Sequence, residues 1–113
     1  MLCIITKEFK MSKLAEIHEK AGEVSELLKI MAHADRMVVL CLLSDGEMGV
    51  SELREHTKLS QSAFSQHLGV LRKNHLVKIR KESQQVFYSV ADPRVGVLLS
   101  ALQQAFCPPE ASN

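Results

Sequence analysis

Residues 59 to 77 read LSQSAFSQHLGVLRKNHLV, a segment whose polar positions are hydroxyls, amides, imidazoles and bases, with no acid among them. Glutamine can pair bidentately with adenine, serine can reach a base edge or a phosphate oxygen, and small side chains let a helix come close to its target. A carboxylate on the same face would repel phosphate. The chemistry these residues suit is recognition of nucleic acid: Gln61, Ser62, Ser65 and Gln66 at base edges or adjacent phosphates, and the helix start at Ser60 on a phosphate. Arg72, Lys73, Lys78, Arg80 and Lys81 would serve the backbone in general. His67 stands on the flank of this face and reads equally as a DNA contact or as a half-buried structural histidine.

Charge distribution supports the same chemistry. The 113 residues carry a formal net charge of only +1. Residues 13 to 57 hold five bases and nine acids, whereas residues 58 to 81 hold six bases and no acid. Segregation of this kind favours a polyanionic partner, although a solvated basic face is the ordinary alternative.

The remaining reactive side chains are sparse. Cys3, Cys41 and Cys107 contain no CxxC pair and form no disulfide framework, in keeping with a reducing compartment. Cys41 lies among Leu40, Leu42 and Leu43, where burial raises a thiol pKa, and Cys107 stands at a helix carboxyl end, where the dipole disfavours a thiolate. On these terms alone each is an inert cysteine. His18, His33, His56, His67 and His75 are at least eight residues apart, so none makes the i, i+4 pair of a helical metal site. Neither a Cys with a positioned base nor a glycine-rich phosphate loop is present, which argues against a thiol oxidoreductase or any other enzyme. The apolar run MVVLCLLS is far below the roughly 20 residues that span a bilayer, so a cytoplasmic protein with no membrane partner is expected.

The elements that must position these groups follow from periodicity. Leu14, Ile17, Ala21, Val24, Leu28 and Met31 form an apolar seam on a first helix, with Ser12 as its cap. A second helix begins near Ala34 or Asp35 and ends at the Asp45-Gly46 turn; it is apolar almost all round, as a buried helix is. A short third helix spans roughly Val50 to Thr57. The reading helix starts at the Ser60 cap and runs to about Lys73, with Phe64, Leu68 and Leu71 as its buried stripe and Asn74 at its end. VKIRKESQQVFYSV alternates as a β-hairpin with its tip near Glu82, Ser83 and Gln84. Asp92-Pro93 opens a last helix carrying Val95, Leu98, Leu99, Leu102 and Phe106.

This order predicts a mainly α domain with a β-hairpin wing, a winged helix-turn-helix, over residues 13–109. Residues 1–12 read as a disordered arm or a misassigned start, with Cys3 set aside, and 110–113 as a tail. One such module reads few base pairs, so a symmetric homodimer is expected, held through Leu14, Ile17 and Val24 of the first helix and Leu98, Leu102 and Phe106 of the last.

LSQSAFSQHLGVLRKNHLV with VFYSV closely resembles the ArsR/SmtB family of small dimeric bacterial repressors, and LLKIMAHADRMVVLCLL resembles that family's approach to the reading helices; the likeness extends from about Leu14 to Cys107. It implies a winged-helix dimer bound to a double-stranded DNA operator and released by a chemical signal. The family's thiol motif for arsenic, cadmium or lead lies at the start of the third helix, where this chain has EMGVSEL. Its zinc-type site on the last helix needs Asp and His, and DPRVGVLLSALQQAFC offers Asp92 and no His. Neither a metal nor another cofactor is therefore expected. Cys41 and Cys107 instead resemble the paired cysteines of the sulfide- and persulfide-responsive branch (the BigR, SqrR and YgaV regulators) and of the HlyU-like regulators. That likeness implies a disulfide or polysulfide switch, with a reactive sulfur species or oxidant as inducer. The alternatives it leaves open are an HlyU-like activator or anti-silencer without sensing, and a metal-responsive repressor.

Overall fold

A computed structural model describes residues 13–107. The amino-terminal arm expected at 1–12 and the tail at 110–113 lie outside the described residues. Five helices and three strands follow in order: α1 (Leu14–Met31), α2 (Ala34–Leu43), β1 (Met48–Gly49), α3 (Val50–Thr57), α4 (Gln61–Lys73), β2 (Val77–Glu82), β3 (Gln85–Val90) and α5 (Pro93–Phe106). This is the winged helix-turn-helix plan, with one addition. Met48 and Gly49 pair with Tyr88 and Phe87, so the wing is a three-stranded antiparallel sheet of order β1-β3-β2 rather than a bare hairpin.

Local chemistry explains most of the boundaries. Ser60 Oγ accepts the Ala63 N–H at 3.2 Å and starts α4. At α5, Asp92 accepts the Arg94 N–H at 2.9 Å and Pro93 occupies the first turn, where its missing donor costs nothing. His33 caps α2, its Nδ1 accepting the Asp35 N–H at 3.2 Å. The α3–α4 turn closes at Lys58, which takes a left-handed conformation (φ 60°) and donates its N–H to Arg54 O. Past Lys73 the positive φ falls on His75 (65°) rather than on Asn74, whose side chain instead returns to Val70 O at 2.8 Å.

The core lies where α1, α2, α3, α4, the wing base and α5 meet. Leu27, Met31, Leu40, Leu43, Leu53, Phe64, Leu68, Leu71, Val77, Val95 and Leu99 are each at most 6% exposed. Burying a side chain of this size stabilises the fold by about 1.5–3 kcal/mol. The face of α1 that enters the core is Leu27 and Met31, while Leu14 and Leu28 of the apolar seam remain 38% and 42% exposed. One expectation needs correction, because α2 is not buried all round: Val39, Leu40 and Leu43 point inward, but Val38 is 44% exposed and Cys41 is exposed as well. Ten helical residues cannot all face one small core, and the outer strip of α2 is left uncovered within the chain.

Candidate nucleic-acid interface and thiol cleft

Anchored by Phe64, Leu68 and Leu71, α4 turns Gln61, Ser62, Ser65, Gln66, Arg72 and Lys73 outward, all exposed. Its first turn holds no acid and its last turn holds Arg72 and Lys73. Beside it, α3 and α4 enclose a concavity of about 700 Å³ lined by Arg54, Lys58, Gln61, Ser65, Gly69, Arg72 and Tyr88, among others. Hydroxyls, the Gln61 amide and three cations thus converge on one concave surface with a single carboxylate, that of Glu55, a set whose net positive charge suits a phosphate backbone bordering base edges. Arg54 and Lys58 were not among the expected site residues. Arg54 sits in the acid-rich half of the sequence, and only the helix-turn-helix packing brings it to this face.

Gly69 lies on the same exposed stripe. A Cβ built there meets no other atom within 4 Å, so internal packing does not demand glycine.

The wing holds its cations differently. Lys78 and Lys81 are exposed. Arg80, expected to serve the DNA backbone, is engaged within the chain: its Nε and Nη2 donate to the two oxygens of Glu47 at 2.8 Å each, and Nη1 donates to Glu82 at 2.9 Å. Its guanidinium also lies 4.6 Å from the centre of the Phe87 ring. The carboxylate of Glu47 is held below its ordinary range, chiefly by the hydrogen bonds from Arg80. The segment before β1 is thereby tied to the wing.

His67 also departs from its place among the DNA contacts. Its side chain is only 13% exposed and turns to the rear of α4, against the start of α2. Its ring centre is 4.4 Å from that of His33, Nε2 is 3.7 Å from Asp35 Oδ2, and Arg36 Nη1 is 3.5 Å from Nδ1. Burial, then the neighbouring His33 and Arg36, hold this imidazole below its ordinary pKa, with Asp35 opposing them. The two histidines lie far apart in sequence, which is why spacing along the chain did not reveal their contact.

A second concavity, of about 440 Å³, lies between α2 and the carboxyl end of α5. Met37, Leu99, Leu102 and Phe106 supply apolar walls, Asp45 a single charge, and Cys41 and Cys107 both line it as free thiols. Partial burial pushes the Cys41 thiol up from its ordinary pKa. The dimer residues expected on α1 and α5 are incompletely covered within one chain: Ile17, Val24, Leu98 and Leu102 are half-buried, while Phe106 is 79% exposed.

Among the described residues, no helix is long and apolar enough to cross a membrane. Residues 33–78 match the family model for bacterial regulatory proteins of the arsR family. The transcriptional activator HlyU of Vibrio cholerae is 42% identical over 94 residues, covering 83% of this chain and 87% of that protein. The biofilm growth-associated repressor of Agrobacterium fabrum is 40% identical over 97 residues, covering 86% of this chain and 83% of the repressor. The solved structure of reduced HlyU from Vibrio cholerae shares this fold with a TM-score of 0.78 at 41% identity, covering 83% of this chain and 99% of that one.

Proposed function

The chain belongs to the arsR family of bacterial regulatory proteins and is a DNA-binding transcriptional regulator; from that premise we propose that it is a repressor released when Cys41 and Cys107 are joined by a disulfide or polysulfide bridge. The observation that carries this reading is the shared cleft: two free thiols from α2 and α5 border one apolar concavity.

The chemistry closes without a metal. The thiolate of Cys41 or Cys107 attacks the outer sulfur of a low-molecular-weight persulfide, forming a protein persulfide and releasing the parent thiol. The second thiolate then attacks the inner sulfur of that persulfide and expels hydrosulfide, leaving a disulfide; two protein thiols are oxidised and one sulfur–sulfur bond of the reagent is reduced. If both cysteines are first persulfidated, attack of one on the inner sulfur of the other expels hydrosulfide and leaves a trisulfide, which spans a longer gap.

The regulator acts as a homodimer. Leu14, Leu28, Val97 and Phe106 leave apolar surface on α1 and α5 that a second copy would cover. A two-fold pair places its reading helices about 34 Å apart, in successive major grooves. A bond between α2 and α5 would change how α5 meets the partner and hence the spacing of the reading helices.

Intact mass after treatment with glutathione persulfide tests the chemistry. Loss of two hydrogens, alone or with added sulfur, is expected in the parent and absent from Cys41→Ser and Cys107→Ser. Independent persulfide adducts on the two cysteines, with no bridge, would count against it.

A second reading is an activator that competes with a silencing protein, favoured by the description of the Vibrio cholerae relative as an activator. On that reading bridging leaves operator affinity unchanged.

A further inference from the structure

Behind the reading helix, three metal-ligating side chains converge from two elements that no motif links. His33 precedes α2, Asp35 sits in its first turn and His67 projects from the rear of α4; one ligand atom from each lies within 4.8 Å of the others. We propose that His33, Asp35 and His67 form a binding site for a divalent transition-metal ion of the zinc class, which clamps the reading helix to the start of α2. The site lies apart from both the thiol cleft and the DNA-facing surface, and it does not depend on the proposed cysteine switch.

The donor set is two imidazoles and one carboxylate, a combination that suits Zn(II) and its neighbours over Mg(II) or Ca(II), which want oxygen alone. Zinc bonds to such ligands are about 2.0–2.2 Å long, so two donors at a tetrahedral angle stand about 3.4 Å apart. Asp35 Oδ2 and His67 Nε2, at 3.7 Å, already approach that separation. The third donor must close in further, and it belongs to the exposed His33, whose Nδ1 is committed to the Asp35 N–H and whose Nε2 is therefore the ligand atom. Water completes the coordination on the open side.

Arg36 sets the metal-free state. Its Nε donates to Ile30 O at 2.6 Å, and its Nη1 lies 3.5 Å from His67 Nδ1. A guanidinium has donors only, so when Nδ1 accepts from it the ring proton stands on Nε2, on the side of Asp35. Coordination through Nε2 requires the other tautomer, with the proton on Nδ1, and Arg36 Nη1 must then turn away while Nε keeps its bond to α1. The nearby cation lowers affinity without blocking the donors.

The test is titration of the full chain, its thiols alkylated, with Co(II) and then Zn(II), followed by visible absorption and calorimetry. One ion per chain is expected, with no thiolate-to-cobalt band. Zn(II) should also raise the Tm, because it binds the folded state. His67→Gln and Asp35→Asn should each weaken binding at least about tenfold. Asp35→Asn is the safer variant for folding, since its side chain is 43% exposed and the His33 cap uses its backbone. No saturable binding, or binding that both variants retain, would overturn the site.

Discussion

Cys41, on the outer strip of α2, and Cys107, at the carboxyl end of α5, border the same apolar cleft with Phe106 and Leu102 between the two helices. Neither thiol sits in the electropositive setting that makes a cysteine reactive by itself. Their pairing, rather than the reactivity of either, distinguishes them. Burial raises the Cys41 thiol, which stores it as the protonated form at neutral pH.

The pH dependence of labelling checks that point. Because the thiolate is the nucleophile, alkylation of Cys41 should rise about tenfold per pH unit from neutrality through the ordinary thiol range, without levelling there. Peptide mass mapping after timed iodoacetamide pulses reads the rate. A plateau near pH 7 would mean that Cys41 is activated by a neighbour.

Gly69 separates folding from recognition. Its Cβ position is open, so Gly69→Ala should stabilise α4 by about 0.5–1 kcal/mol, the usual difference between the two residues in a helix. The added methyl stands on the exposed face of α4 proposed to meet DNA, so operator affinity should fall even as Tm rises. Thermal melts and operator titrations on the same preparation give both. A stabilised variant with unchanged affinity would place Gly69 outside the interface.

Arg80 is held by Glu47 and Glu82, and that restraint makes a prediction about salt. Glu47→Gln should loosen the fork, free the guanidinium for a phosphate and steepen the log–log salt slope of DNA binding by about one. Arg80→Lys keeps the charge but loses the two-pronged contact, and should loosen β1 from the wing. An unchanged slope in Glu47→Gln would contradict the release of Arg80 to a phosphate.

At the start of α5, the hydrogen bonds from the Arg94 guanidinium hold the Asp92 carboxyl below its ordinary range, against the opposing effect of burial. A depressed carboxylate stabilises the fold at pH values above its unfolded pKa, and that stabilisation is lost as pH falls through the folded value. Asp92→Ala should therefore cost about 0.5–2 kcal/mol at neutral pH, as a lost cap does, and the gap from the parent should narrow in acid. Chemical denaturation at several pH values measures it; a gap that widens in acid would contradict the assignment.

Periodicity made the reading helix legible, because Phe64, Leu68 and Leu71 repeat on one face and the cap at Ser60 is local chemistry. The wing's two long strands alternate and were equally readable. A strand of two residues carries no period, so β1 emerged only from its pairing with β3. Hydropathy cannot tell apolar surface buried within a chain from apolar surface awaiting another, which is why the sequence of α2 reads as core all round although its outer strip is exposed. The engagement of Arg80 by Glu47 and the meeting of His33 with His67 are tertiary facts: charge and residue type were visible, their partners were not. The cysteine pair became conspicuous through family likeness, and the cleft then supplied a physical setting for it.

Operator affinity of the reduced and the bridged protein, measured by fluorescence anisotropy at one fixed salt concentration, tests the central claim most directly. Bridging confirmed by intact mass should weaken binding by at least about tenfold, equivalent to about 1.4 kcal/mol of coupling, in the parent and not in Cys41→Ser. Complete bridging with operator affinity unchanged would contradict a thiol-released repressor.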